Sequence, residues 1–465
     1  MIRLFRVFIP ASVLGLLLSE AVLIFSCYVL ASFFVLDADP EIFLLYDNGL
    51  WRIALVVGCI IVALYFNDLY WQFRIRSKLL LVQQMCFVVG IAFLTQALLT
   101  YLRRPDWTIP KWIMIYGSGL ALLTLPAWRI IYGSVVMRAL GSQRILFLGA
   151  SLLAQEIAAE ILEKPELGLS TIGYVDDVPD NTTVKLPGGP LLGAICNLRA
   201  IVKECQPDRI AVALAERRLR LPVHELLDLR FSGIRIEEAQ AMYETVFGRI
   251  CVREVRPSQL IFTAELGPRR SSIILQQWYS IAIGTVTIII LLPLIPIVAL
   301  LVKLSSPGPV LYRQKRVGKD GRVFTLYKFR SMYRDAEALT GAVWATPDDP
   351  RITPIGRILR RLRLDELPQL FNVVRGDMSL VGPRPERPEF VQTLTDQIPY
   401  YRQRLSVRPG ITGWAQINHK YGDTFEDTIL KLEYDLYYIK NLAPTLDLYI
   451  MLQTIKVMLL SRGAQ

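Results

Sequence analysis

The sequence predicts a membrane protein in three parts: a transmembrane bundle of α-helices, a doubly wound α/β domain, and a mainly α-helical basic domain entered through a fifth apolar segment. Three observations predict it. Of the 465 residues 53% are hydrophobic, the mean hydropathy is +0.37, and the apolar residues gather in long blocks. A strand, a glycine turn and a helical pattern follow the fourth block. The net charge is +11, and residues 303–375 hold 15 Lys/Arg against 7 Asp/Glu, which is +8 of that total.

The four apolar blocks lie at residues 8–36, 50–68, 79–100 and 111–135, each near or above the roughly 20 residues that a span needs. The first is long and lacks a small-x-small cleavage pattern, so it does not read as a signal peptide. Arg3 and Arg6 precede block one, Arg74, Arg76 and Lys78 follow block two, and Arg138 and Arg144 follow block four. The first outer loop is acidic, with Asp37, Asp39, Glu41 and Asp47. Basic loops favour the cytoplasmic side, which puts the N-terminus and the residues after block four there; Arg103, Arg104 and Lys111 run against that orientation.

Residues 144–151 (RILFLGAS) and the periodic run 152–162 read as a buried strand, a turn and a helix, a Rossmann-like opening. Residues 172–177 and 209–214 read as later strands. Only Gly149 stands at the turn, short of a full G-x-G-x-x-G, so a structural or regulatory module without a nucleotide is the favoured reading. The domain ends near Leu266-Gly267-Pro268. The expected division is 1–140 for the four-helix transmembrane region, 141–268 for the α/β domain, 269–304 for the fifth apolar segment and 305–465 for the catalytic domain.

The fifth block, 273–302, has basic residues at both ends (Arg269, Arg270, Lys303) and Pro293 and Pro296 inside. The prolines break the backbone ladder and allow the segment to bend back to the face it entered from; a kinked span is the other reading. Beyond it, residues 310–318 and 322–330 flank Lys319-Asp320-Gly321 as a hairpin. The loops 382–386 (GPRPE) and 408–416 (RPGITGWAQ) look like anion-recognition turns, with prolines on both sides of Arg384 fixing its backbone. Residues 446–460, with Lys456 and then Arg462, read as a surface-lying or packing helix.

The chemistry is expected in residues 360–370, RRLRLDELPQL, where Asp365 and Glu366 face Arg360, Arg361 and Arg363. Leu359, Leu362, Leu367, Leu370, Phe371 and Val374 recur at three- and four-residue steps and predict a helix with one buried face. Pro368 is best placed in a first turn, so the helix should begin near Asp365 and its dipole should favour the carboxylates. A plain N-cap with surface ion pairs explains an isolated Asp-Glu pair equally well. The six cysteines form no CxxC pair or metal-ligand spacing, and three of them fall in apolar blocks as small buried hydrophobes. With only His224 and His419 available, a zinc site or a Ser-His-Asp triad is disfavoured and carboxylates are left. No recognised nucleic-acid module accompanies the basic charge, which suits anionic lipids or phosphate-bearing substrates instead.

Residues from about 270 onward resemble the bacterial sugar transferases, the polyprenyl-phosphate hexose-1-phosphate transferases. The resemblance rests on SPGPV at 306–310, KFRSM at 328–332, LDELPQL at 364–370, GPRP at 382–385 and PGITG at 409–413, all in the family's order. The upstream part is similar in outline to the family's large members. The resemblance implies a cytoplasmic-face enzyme of the bacterial inner membrane whose fifth apolar block is a re-entrant membrane helix. It implies transfer of a hexose-1-phosphate, glucose or galactose for a large member, from a UDP-sugar to undecaprenyl phosphate with release of UMP, initiating polysaccharide assembly among membrane lipids. It also implies Asp365 as nucleophile, forming a covalent phosphosugar intermediate, with Glu366 as its dyad partner and Arg360 as a phosphate-binding residue. Arg384, Lys328 and Arg330 are the further candidates for substrate phosphates, and Arg313, Lys315, Arg316 and Lys328 for lipid headgroups or the acceptor phosphate, a plain solvated basic face being the other reading. Asp365 and Glu366 would hold Mg²⁺, which binds through one or two carboxylates plus substrate phosphates. A homodimer is an admissible assembly for a member of this size. Two other readings compete with this one. A membrane-bound nucleotide-sugar dehydratase or epimerase would need a complete glycine loop and Tyr-x-x-x-Lys, and no Tyr here has Lys four residues on. A non-catalytic scaffold sits poorly with Asp365, Glu366, Arg360 and Arg384 all in place.

Overall fold

The computed structural model describes residues 2–4, 6–36, 39–67, 69–70, 78–102, 105–133, 141–177, 186–214, 221–254, 269–333, 349–419 and 424–459. Asp37, Arg74, Arg76, Arg103, Arg104, Arg138, the expected boundary at 266–268 and Arg462 lie outside them. The chain forms two compact units: residues 8–237 with the first two residues, and residues 3–7 with 238–465.

After two short strands, β1 (Ile2–Leu4) and β2 (Val7–Ile9), the first unit opens with four long apolar helices: α1 (Ala11–Val35), α2 (Gly49–Phe66), α3 (Lys78–Tyr101) and α4 (Lys111–Ile131). All four are long and apolar enough to cross a membrane. Their facing sides pack Leu16, Ile24, Ile53, Ile60, Val88 and Ile113 into one core. A charge inside such a bundle must be paired. Glu20 of α1 is fully buried and accepts from Arg129 of α4 through both carboxylate oxygens, at 2.5 and 3.0 Å.

The α/β part follows as β3 (Gln143–Leu148), α5 (Leu152–Glu163), β4 (Leu169–Val175), β5 (Leu191–Gly193), α6 (Leu198–Cys205), β6 (Arg209–Val212), α7 (Val223–Phe231) and β7 (Arg235–Glu238). The sheet order is β5-β4-β3-β6-β7, with parallel pairing from β5 through β6, the doubly wound arrangement expected. Gly149 has φ 106°, and a Cβ there would lie 2.7 Å from the Ala213 carbonyl, so the glycine serves a close strand approach. The Asp176 carboxylate accepts from Ala150 N at 2.9 Å, and Ser151 caps α5. The edge strands β5 and β7 give no clear pattern in the sequence, β5 being only three residues long and β7 four residues with three charges.

The second unit contains α8 (Ala239–Phe247), α9 (Arg270–Leu291), α10 (Leu294–Ser305), β8 (Leu311–Val317), β9 (Val323–Phe329), α11 (Pro354–Arg361), α12 (Gln369–Arg375), β10 (Ser379–Val381), α13 (Pro388–Gln397), β11 (Gly410–Thr412), α14 (Trp414–Asn418), α15 (Phe425–Lys440) and α16 (Pro444–Leu459). The fifth apolar segment is thus two helices divided at Leu292-Pro293. β8 and β9 form the expected antiparallel hairpin, in register from Leu311↔Phe329 to Val317↔Val323, with Gly321 at φ 80° in its turn. β10 and β11 pair in parallel and bring the two proline-glycine loops together: Gly382 N donates to Thr412 O and Gly410 N to Pro383 O, both at 2.9 Å.

α9 docks through polar residues in an otherwise apolar helix. Gln276 Nε2 donates to Tyr438 Oη at 2.6 Å and Asp447 Oδ2 at 2.7 Å, and Tyr438 donates to Asp447 Oδ1 at 2.9 Å. α10 packs Val298 and Val302 on Phe329 and Leu359. α16 buries Leu446, Asp447 and Ile450 while leaving Leu448, Leu452, Ile455 and Met458 exposed, so it packs on one side and keeps an apolar outer stripe. All six cysteines are free; of the three in the apolar blocks Cys27 is buried as expected, Cys59 is partly buried and Cys86 is exposed, against the expectation of a small buried hydrophobe.

Candidate active site

The dyad lies in a break between two short helices. Thr353 caps α11, its hydroxyl accepting Gly356 N at 2.9 Å, and Pro354 occupies the first turn. Arg363 then turns left-handed, at φ 54°, and aims the chain into a single 3₁₀ turn, Leu364–Glu366. Leu367 and Pro368 lead into α12, which begins at Gln369 and not near Asp365. The cause is visible in the ladder: Leu367 N reaches Leu364 O and Phe371 N reaches Pro368 O, spacings of three that keep the first turns tight. With seven residues behind the dyad, α12 supplies little dipole, and charge compensation falls to side chains.

Those side chains come from three elements. Lys328 Nζ, from β9, and Arg384 Nη2, from the loop after β10, both donate to Glu366 Oε1 at 3.1 Å. Arg363 Nη1 lies 3.9 Å from Oε2. β9 is fixed beneath by Asn372 of α12, which is fully buried, donates to Thr325 O at 2.8 Å and accepts from Tyr327 N at 3.2 Å. Burial works to raise the Glu366 carboxyl, but Lys328, Arg384 and Arg363 hold it well below the usual carboxylate range.

Asp365 is equally buried, at 7% exposure, and forms no hydrogen bond among the described residues. Burial and the charge of Glu366 push its carboxyl up, against the pull of Lys328, Arg360 and Arg384. The adjacent carboxylates therefore differ in kind: Glu366 is a clamped anion, and Asp365 is an unoccupied one facing three cations.

The expected residues separate in space. Arg384 and Lys328 join the dyad, and the half-buried Arg360 of α11 acts on Asp365 through its charge. Arg330 does not join: its Nη1 donates to Pro309 O at 2.7 Å, and its Nη2 to Ser306 O at 2.6 Å, Ser306 Oγ at 3.0 Å and Val302 O at 3.3 Å. It binds carbonyls at and just past the C-terminal end of α10, where helix carbonyls run out of intrahelical donors; Val302 O also accepts from Ser305 Oγ at 2.9 Å. Arg316 is likewise engaged, on Gln314 and the Pro385 carbonyl, while Arg313 and Lys315 are exposed. Of the three arginines expected to face the dyad, Arg363 lies 3.9 Å from Glu366 Oε2 and Arg361 is exposed, while Asn372 is a supporting residue that the sequence does not single out.

Among the described residues no three His, Cys, Asp or Glu side chains cluster closely enough to cage a metal. What the chain offers a cation is Asp365 and the Oε2 side of Glu366, since Oε1 already accepts two donors. That fits Mg²⁺ carried mainly by substrate phosphate and water, with one or two carboxylates from the protein.

Comparison with known proteins gives this arrangement its place. Residues 271–461 match the bacterial sugar transferase family, and residues 65–230 match a family described as a CoA-binding domain. The chain belongs to the bacterial sugar transferase family. It is 38% identical over 303 residues, 65% of this chain and 69% of the relative, to a UDP-N-acetylgalactosamine-undecaprenyl-phosphate N-acetylgalactosaminephosphotransferase of Aeromonas hydrophila. It is 33% identical over 324 residues, 68% of this chain and 67% of the relative, to a UDP-glucose:undecaprenyl-phosphate glucose-1-phosphate transferase of Escherichia coli K12. An exopolysaccharide production protein of Rhizobium leguminosarum bv. phaseoli is 40% identical over 196 residues, 41% of this chain but 98% of that shorter protein.

Proposed function

We propose that the protein transfers a hexose-1-phosphate from a UDP-sugar to undecaprenyl phosphate, releasing UMP, as the first step of a polysaccharide assembly. The observation that carries this reading is Asp365: a buried carboxylate without a hydrogen bond among the described residues, next to a Glu366 clamped by Lys328, Arg384 and Arg363. An Asp oxygen attacks the β-phosphorus of the donor, the bond from that phosphorus to the bridging oxygen breaks, and UMP leaves with the electron pair. A phosphate oxygen of the lipid then attacks the same phosphorus and frees the Asp365 carboxylate. Both steps concentrate charge on phosphoryl oxygens, which preorganised cations stabilise. Arg360 of α11 acts on Asp365 through its charge, as do Lys328 and Arg384, which also fix Glu366. Bound Mg²⁺ would supply further neutralisation of the phosphate charge through Asp365 and Glu366.

The same reading puts the catalytic unit on the cytoplasmic face of the bacterial inner membrane, with α9 and α10 as a re-entrant pair. Support comes from segment 239–254, which precedes α9 yet packs on elements that follow α10. Ile250 N donates to Glu433 O at 3.2 Å, Val252 N to Glu433 Oε1 at 3.0 Å, and Trp414 Nε1 to Gly248 O at 2.7 Å. A full crossing by α9 and α10 would separate these partners.

The donor sugar is the finer question, since the relatives' names divide between glucose and N-acetylgalactosamine. The test is UMP release by the membrane-embedded enzyme with undecaprenyl phosphate, Mg²⁺ and UDP-glucose, UDP-galactose or UDP-N-acetylgalactosamine in turn. UMP with one donor is expected, and Asp365→Asn should abolish it without loss of membrane insertion. Release of UDP would mean glycosyl transfer and would remove Asp365 as nucleophile.

A further inference from the structure

The loop that carries Arg384 is held through its carbonyls. Pro383 and Pro385 have no N–H, so ladder donation from those positions is closed to it. Instead, four consecutive carbonyls each receive a donor. Pro383 O accepts from Gly410 N at 2.9 Å, Arg384 O from Arg404 Nη2 at 3.0 Å, Pro385 O from Arg316 Nη1 at 2.9 Å, and Glu386 O from Val317 N at 2.9 Å. The donor to the central carbonyl is unusual. Arg404 is 7% exposed, its Nη1 donates to Tyr401 Oη at 2.6 Å, and its Nη2 pairs with Asp435 Oδ2 at 2.8 Å. Asp435, on α15, is 2% exposed.

Buried ion pairs are weak sources of stability, because desolvating both charges offsets their attraction and an apolar pair of the same volume does as well. What this pair supplies that an apolar pair cannot is a fixed donor at the backbone of Arg384. That same residue's guanidinium clamps Glu366 at 3.1 Å. We infer that the Asp435–Arg404 pair is a positioning device for the dyad: it pins the Arg384 carbonyl so that the Arg384 side chain meets Glu366 and leaves Asp365 open to phosphate. The inference rests on the transferase reading for its catalytic consequence but not for its geometry. Neither residue touches the dyad, so both are positioning residues.

The test uses the full chain in nanodiscs and the variant Arg404→Lys, which keeps the charge opposite Asp435 but loses the planar fork that serves Tyr401, Asp435 and the carbonyl together. Hydrogen exchange should show lost protection in peptides covering 379–387 and 408–412, with α15 and the α/β sheet unchanged. UMP release should fall about tenfold or more in Arg404→Lys, yet by less than about twofold when the same change is made in Arg384→Ala, because coupled residues are not additive. Equal losses in both backgrounds overturn the inference, as does unchanged protection in the loop or a loss of protection spread over the whole unit. If the unmodified protein releases no UMP, the transferase reading falls, and the exchange comparison alone decides whether Arg404 holds the loop.

Discussion

At the residue scale, Asp365 and Glu366 show how one environment drives two neighbouring carboxyls apart. Both are buried, but Glu366 takes the direct contacts from Lys328 and Arg384 while Asp365 receives only their longer-range field. The folded Asp365 binds its proton more tightly than the unfolded chain does, so its contribution to stability is present at low pH and declines between 3.8 and about 6. Glu366 runs the other way: its stabilisation is present above its ordinary 4.5 and is lost as pH falls. If Asp365 is the nucleophile, UMP release should rise with pH through about 6 as that carboxyl ionises. Lys328→Met should move the rise to higher pH, since Lys328 pulls the Asp365 carboxyl down. A rise that stays in place would assign the titration to another group. Asp365 and Glu366 were legible because charge so concentrated in an apolar run is rare, Arg384 because prolines flank it on both sides, and Lys328 because it stands in a basic hairpin. The role of Arg330 was not, because its partners are the carbonyls of a helix end that only the folded chain places beside it.

At the element scale, the 3.6-residue period of residues 359–374 runs through a place where the helix stops. Leu359 and Leu370 are buried as the spacing predicts, but Leu362 and Phe371 are half exposed, and the buried partner on α12 is Val373. The left-handed Arg363 and the 3₁₀ turn rotate the second helix relative to the first, so one apolar stripe cannot serve both. The exposed leucines also carry no penalty if this face meets lipid, where water is absent. The start of α11 is the tightest joint near the dyad. A Cβ on Gly356 would lie 2.0 Å from the Ser331 carbonyl, a contact with backbone that no rotamer relieves. Gly356→Ala should therefore cost about 1–3 kcal/mol, the usual range for overpacking. The expected readout is a lower thermal midpoint and weaker protection of 354–361. A variant as stable as the parent would show that α11 can slide without consequence for Arg360 and Asp365.

At the scale of the whole molecule, the ordering of contacts along the chain bears on how it meets the membrane. Residues 3–7 and 239–254, which come before α9, share a compact unit with everything after α10. Arg3 Nη2 donates to Asn441 Oδ1 at 2.6 Å, Tyr437 Oη to Arg6 O at 3.1 Å, and Lys440 Nζ to Glu244 Oε2 at 2.8 Å. A helix that crossed the bilayer between those partners would part them by the hydrocarbon thickness, about 30 Å. The proposed re-entrant pair, with α9 and α10 entering and leaving on one face, keeps these partners together. Hydropathy alone does not yield this reading, since it gives α9 the length and composition of an ordinary span. It is testable with a membrane-impermeant maleimide on variants whose native cysteines are replaced. Lys164→Cys in the α/β domain and Asp320→Cys in the hairpin turn should label together from the cytoplasmic side. Glu41→Cys, between α1 and α2, should label from the other. Labelling of Asp320→Cys together with Glu41→Cys would make α9–α10 a true crossing, and the packing of 239–254 on α15 would then have no place in the membrane-embedded protein.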